Sequence, residues 1–303
     1  MIALDAPLSC KYEHLPALFR AADSASLRAQ RDYLSLVKAD LMTIILASAV
    51  TSVAACSPSL RAGLAITGAV LMLGGVVLTT FLLQQQPDRL WFNARAVADS
   101  VKTIAWRYMT CADPFARNLN LREADGQLCK TLDRVLMENR AVGGALGGID
   151  GADEQVTARM REIRQLGTTE RLRVYLISRV RDQREWYAAK ALDNRRTSGR
   201  WLWAVGGTQM GGAIAAIAMV RWPNLEFNLP SVLASLAAAF VAWLQVKRHQ
   251  ELASSYGLAA HELGLSESQS MHVHTDDELS DFVDQAEGAI SREHTMWVAR
   301  RSE

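Results

Sequence analysis

Two stretches of this chain are almost without charge, and they limit its fold more than any other feature. Residues 41–83 carry one basic side chain, Arg61, beside the break Ser57-Pro58-Ser59-Leu60. Residues 201–246 are broken once, at Arg221-Trp222-Pro223-Asn224-Leu225-Glu226. Each half approaches the ~20 apolar residues that a bilayer core demands of a helix. The first, ending at Cys56, is short unless it begins near Tyr33 or Leu34, with Lys38 reaching back to the interface. The pattern predicts four transmembrane helices in two hairpins. Two hydrophobic hairpins buried in a soluble core are the alternative, disfavoured because four such uncharged runs are rare there.

The rest of the chain is densely charged, so averages conceal a mosaic. Of 303 residues, 50% are hydrophobic and 21% charged, which excludes a disordered polymer. A net charge of +1 excludes a uniformly basic nucleic-acid coat. Cys10, Cys56, Cys111 and Cys129 form no C-x-x-C pair, which argues against a disulfide scaffold or zinc ribbon. The opening residues, with Asp5 and Pro7, lack the pattern of a cleavable signal peptide.

Orientation follows from the basic residues beside the spans. The hairpin tips hold only Arg61 and Arg221, whereas the opposite flanks hold Arg28, Arg31, Lys38, Arg89, Arg95, Arg195, Arg196, Arg200, Lys247 and Arg248. The positive-inside rule then puts both termini and every long segment in the cytoplasm. Trp201, Trp203, Trp222 and Trp243 lie near span ends, as an aromatic belt would.

The expected layout is an N-terminal cytoplasmic helix in 1–40, helical from about Ser24, and a first hairpin in 41–83. Cytoplasmic helices in 84–142 follow, with a stop at Pro114 and an amphipathic helix from about Leu121 to Asn139. A glycine-rich linker covers 143–152, and basic cytoplasmic helices cover 153–200 with a long helix from Glu170. The second hairpin covers 201–246, and two C-terminal helices, joined by an acidic linker at Asp276-Asp277-Glu278, cover 247–303. Helix, hairpin, helix thus occurs twice in the same direction. The fold class is an all-α membrane protein of four spans with a cytoplasmic helical domain.

No P-loop, G-x-S-x-G or H-E-x-x-H motif is present, so no enzyme activity is expected. Met271-His272-Val273-His274 near Asp276 reads as a solvated polar turn rather than a metal site, and neither metal nor cofactor is expected. In the third span, Gly207 and Gly211 make a small-xxx-small face suited to close helix packing. Thr208 and Gln209 lie beside it, and Gln209 either bonds a neighbouring helix or faces water in a channel. Thr43, Ser48, Thr51 and Ser52 give the first span a weakly polar side, as Thr67, Thr79 and Thr80 do the second. No span carries an ionisable residue in its middle, which disfavours an ion-coupled pump but not a weakly selective pore. Residues 157–200 are strongly basic. Arg159, Arg161, Arg164 and Arg171 are candidates for phosphate binding, with Arg161 and Arg164 spaced to meet one phosphate. The alternative is that this stretch pairs with the acidic region 262–287.

Three spaced motifs carry a family likeness. Trp91 is followed by Arg95 through Thr103, then Trp106-Arg107-Tyr108 and Pro114-Phe115. Arg171, Tyr175, Arg179, Asp182-Gln183, Trp186-Tyr187 and Lys190-Ala191 open the second half, and Glu293-His294, Trp297 and Arg300-Arg301 close it. Together they resemble the SLATT superfamily (DUF4231-like) of two-span effectors in bacterial conflict systems, with Asp99 where the family usually has Glu. The resemblance covers nearly the whole chain and implies scaffold roles for these residues. It further implies a membrane effector of antiphage defence, controlled by a nucleotide or oligonucleotide from a partner nucleotidyltransferase. The Hailong system, with a similar tandem effector, is one such case. The expectation is a homo-oligomeric, signal-gated pore or membrane disruptor in the bacterial inner membrane. A non-channel sensor or adaptor that recruits partners through cytoplasmic helices is the alternative.

Overall fold

The computed structural model describes residues 9–56, 58–147, 154–222 and 227–299, with side chains up to residue 291. Among these residues the structure is helical, with short turns and no strands. The order is α1 (Ala17–Cys56), α2 (Arg61–Gln85), α3 (Pro87–Thr110), α4 (Leu121–Glu138), α5 (Ala158–Gln165), α6 (Thr168–Tyr175), α7 (Asp182–Arg221), α8 (Leu229–Lys247), α9 (His249–Gln269) and α10 (Asp276–Ala299). One π turn, Leu176–Arg181, joins α6 to α7. Four of the helices are long and apolar enough to cross a membrane. The chain is an all-α membrane protein with four spans.

Two compact units share the chain. The first comprises 1–29, 88–191 and 254–303, and the second 30–87 and 192–253. The first has the interior of a water-soluble domain. Trp106, Tyr108, Met109, Phe115, Leu128, Met160, Ile163, Tyr175, Leu263 and Leu279 are wholly or almost wholly buried in one cluster. Edge-on aromatic contacts link Trp106 to Tyr175 (5.6 Å) and Tyr175 to Phe282 (6.1 Å). α4 shows how sequence makes this packing. Asn120 caps it by accepting from the Glu123 N–H, Glu123 returns the bond to the Asn120 N–H, and Ala124, Leu128 and Leu132 form the buried stripe.

The second unit is the reverse. Val70, Met72, Leu73, Val77 and Leu83 on α2, and Met210, Ile214, Ile217 and Val220 on α7, are each at least 60% exposed. Water does not tolerate so much contiguous apolar surface, and lipid does. This settles the expected choice between spans and a soluble hydrophobic core. α1 and α2 approach closely at two glycines. A Cβ on Gly68 would stand 2.8 Å from Thr51 Cγ2, and one on Gly75 would stand 2.9 Å from Thr43 Oγ1. Gln86, left-handed at φ 42°, ends α2, and Pro87 starts α3 with an amide that needs no acceptor.

Two expectations change. The first helix begins at Ala17 rather than near Ser24, because Leu18, Phe19 and Ala22 belong to the buried face. Asp276-Asp277-Glu278 is the first turn of α10 rather than a linker. Thr275 accepts from the Glu278 N–H, and Glu278 accepts from the N–H groups of His274 and Thr275. Parts of both hairpin tips (Ser57, and 223–226) and residues 148–153, which include the second half of the expected linker at 143–152, lie outside the described residues.

Candidate functional site

The first unit is organised around a buried ion pair. Arg179, from the π turn, donates through Nε to Glu287 Oε1 at 2.8 Å and through a terminal nitrogen to Oε2 at 2.7 Å. Both side chains are buried. Tyr175 donates to Oε1 at 3.0 Å and Thr103 to Oε2 at 2.7 Å, which satisfies the carboxylate on both oxygens. Burial alone would raise the Glu287 pKa, but Arg179 and these donors bring it below the ordinary glutamate value. Burial, and then the Glu287 charge, push the Tyr175 phenol well above its usual range.

Beside the pair lies a small cavity of about 50 Å³, whose walls include Asp23, Arg95, Asp99, Lys102, Arg179 and Tyr187. Arg95 donates to Asp99 at 2.9 Å and lies 3.8 Å from Asp23. Lys102 is partly buried, sits 5.8 Å over the Phe19 ring, and makes no hydrogen bond among the described residues. Its ammonium is lowered to about 8, first by burial and then by the Arg179 charge. Two of the three motifs, that of α3 and that around the π turn, therefore converge on one charged centre. The third lies outside what the structure describes in its side chains and in Arg300-Arg301.

The four arginines singled out for phosphate do different things. Arg159 pairs with Glu162 at 3.0 Å and donates to the Ser9 carbonyl. Arg161 pairs with Asp125 at 2.8 Å and remains about a third exposed. Arg164 is buried, lies 5.2 Å over the Tyr108 ring, and donates to the carbonyls of Tyr108, Phe115 and Ala116. Arg171 is buried, with its donors on the carbonyls of Thr110 and Leu166 and on Asp276. The acidic C-terminal region is the partner of much of the basic stretch: Asp276 takes Arg171, Glu287 takes Arg179, and Glu267 takes Arg181 and Arg184.

In the second unit, a groove of about 550 Å³ runs along α1, α2 and α8. Thr43, Ser48 and Thr51 on α1, Thr79 and Thr80 on α2, and Ser231 and Ser235 on α8 line it, with Asp40 at one end. Most of these hydroxyl protons are already used. Thr43 donates to the Asp40 carbonyl, Thr51 to Ala47, Thr80 to Val76 and Ser235 to Ser231, and Thr79 donates to the Asp40 carboxylate at 3.0 Å. What remains toward the groove is oxygen lone pairs. Thr43, Ser48 and Thr51 of the first span and Thr79 and Thr80 of the second are thus assembled with a polar face of α8, whereas Ser52 and Thr67 do not line the groove. Asp40, Ser231 and Ser235 were missed, although Asp40, Thr43, Ala47, Ser48 and Thr51 share one face at helical spacing.

The face expected on the third span is split. A Cβ built on Gly211 would stand 3.5 Å from Leu233 Cδ1 on α8, while no atom lies within 4 Å of one built on Gly207. Thr208 donates to the Ala204 and Val205 carbonyls. Gln209 is exposed and makes no hydrogen bond among the described residues.

Comparison with known families agrees with this architecture. Residues 16–173 match the SMODS and SLOG-associating 2TM effector domain 3, and residues 175–297 match the SMODS and SLOG-associating 2TM effector domain 1. No curated protein and no solved structure matches the chain. Each matched segment contains one hairpin and the helices that flank it. The chain belongs to the SLATT superfamily and carries two of its two-span effector domains in tandem.

Proposed function

We propose that this membrane effector acts in antiphage defence by assembling into a homo-oligomeric pore under the control of a nucleotide or oligonucleotide. A partner nucleotidyltransferase supplies that signal, in an arrangement of the Hailong kind. The observation that carries the pore reading is the hydroxyl-lined groove on α1, α2 and α8. A polar track open along a lipid-facing surface is costly in one copy and is relieved when copies turn it toward shared water. The carboxylate of Asp40 and the lone pairs of the hydroxyls favour cations over anions in such a path. The open face of Gly207 and Gln209 on α7 offers a second packing surface between copies.

Control is proposed to act on the other unit. Arg159 and Arg161 keep a solvent-reachable edge and are read as the phosphate-facing members, with Arg164 and Arg171 as the frame behind them. α1 and α7 each run without a break from the first unit into a span, so a shift at one end is carried to the other. The basic flanks support a reading with both termini on the cytoplasmic side of a bacterial inner membrane. Salt-dependent binding of defined oligonucleotides to the purified protein, lost in Arg159→Ala with Arg161→Ala, tests the control. Binding unchanged in that variant overturns the assignment of these arginines.

A further inference from the structure

A second groove, of about 500 Å³, lies within the membrane unit where α7 begins its span and α8 ends its own. Its walls change character along α8, from apolar side chains to polar ones at the helix end. Leu202, Val241 and Leu244 line one part, and Ser198, Gln245, Arg248, His249, Gln250 and Glu251 the other. Val241 lies on α8 and Arg248 is the residue that ends it seven positions later, about 10 Å of rise. That is the scale on which a bilayer passes from phosphate to acyl chain. Neighbouring tryptophans mark the same level. Trp201 packs on Phe240 at 5.2 Å, and Trp243 has Lys38 over its ring at 5.3 Å and Lys247 at 5.9 Å.

The polar part is built for an anion. Ser198 is only 4% exposed, faces this groove, and its hydroxyl makes no hydrogen bond among the described residues. Arg248 takes a left-handed conformation, φ 47° and ψ 41°, at the corner between α8 and α9. Its contact with Glu251, 3.3 Å, joins two partly exposed side chains and is the kind of ion pair that a phosphate displaces readily. Arg195, Arg196, Arg200 and Lys247 add positive charge nearby in the chain, against Asp193 and Glu251. A free phosphate has no use for the apolar floor, and a zwitterionic lipid gains nothing from this excess.

We propose that the groove binds one anionic phospholipid, with its phosphate on Arg248 and Ser198 and an acyl chain along Leu202, Val241 and Leu244. The site stands independently of pore formation and of the nucleotide signal. It would make the packing of the second hairpin depend on the anionic lipid content of the membrane.

The test is lipid retention. Protein held in nanodiscs of dioleoylphosphatidylglycerol and dioleoylphosphatidylcholine in equal amounts is released into detergent, and its bound lipid is weighed by native mass spectrometry. The expected result is one phosphatidylglycerol retained with about tenfold preference. Arg248→Asn removes the charge while suiting the left-handed corner, and should bring the preference close to parity. Equal retention of the two lipids by the wild-type protein overturns the proposal, whatever the variant does. So does an undiminished preference in Arg248→Asn, which places the lipid elsewhere. Release of the phosphatidylglycerol by inorganic phosphate alone would overturn the acyl contact.

Discussion

Arg179 and Glu287 meet at two points, nitrogen to oxygen at 2.8 and 2.7 Å, with neither side chain open to solvent. Such a pair is not itself a large source of stability, but losing one partner strands the other charge. Glu287→Gln should therefore cost about 3–5 kcal/mol, seen as a drop in the first unit's Tm in detergent. The Glu287 pKa is depressed on folding. Its contribution is present above the ordinary glutamate value and is lost as pH falls through the folded value. The wild-type advantage over Glu287→Gln should shrink accordingly in acid. A variant as stable as wild type at pH 7 would show that the pair does not hold the unit.

Lys102 gives a pH dependence of the same sign in a higher range, but from a penalty that is relieved rather than a contribution that is gained. Its folded pKa, about 8, is below the ordinary 10.5, so between these values the unfolded chain holds the extra proton and stability rises with pH. Lys102→Met should be more stable than wild type at pH 7, by on the order of 1–2 kcal/mol. The gap should close as pH rises from about 8 to 10.5. A gap that does not move with pH would contradict the burial of the ammonium.

Arg164 and Arg171 are braces in this structure, because the donors of Arg164 end on main-chain carbonyls and those of Arg171 on main-chain carbonyls and Asp276. Arg164→Ala leaves buried carbonyls without donors and should cost roughly 2–4 kcal/mol. Arg161→Ala, on a partly exposed pair, should cost at most about 1 kcal/mol. Thermal unfolding of the two variants separates them, and equal losses would contradict the assignment.

Topology is open to direct labelling. Ser59→Cys, at the first hairpin tip, should react with a membrane-impermeant maleimide added to intact cells. Glu138→Cys, exposed at the end of α4, should react only after lysis. The reverse pattern would invert the chain in the membrane.

The spans were legible because the absence of charge over some forty residues is a signal that needs no partner. α4 was legible for a similar reason: its cap and its apolar stripe are local. Arg164 was not. It reads as one more member of a basic run until folding brings the carbonyls of Tyr108, Phe115 and Ala116 to it, and main-chain acceptors leave no trace in sequence. The groove lies between these cases. Thr43, Ser48 and Thr51 were visible as a polar side of one helix, but Ser231 and Ser235 join them only because Ser48 comes within 3.5 Å of Ser231. The charged centre needed three dimensions throughout, since Lys102, Arg179 and Glu287 come from three separate helical segments.

Potassium release from liposomes tests the central claim most directly. Purified protein is reconstituted alone and with mixed oligodeoxynucleotides or oligoribonucleotides, and release is compared with that of Ser48→Leu with Thr51→Leu, which fills the groove. The account predicts release by the wild-type protein in at least one of these conditions, and about a tenfold reduction in the variant. Vesicles that stay tight in every condition with assembled protein present, or a variant that leaks like the wild type, would contradict it.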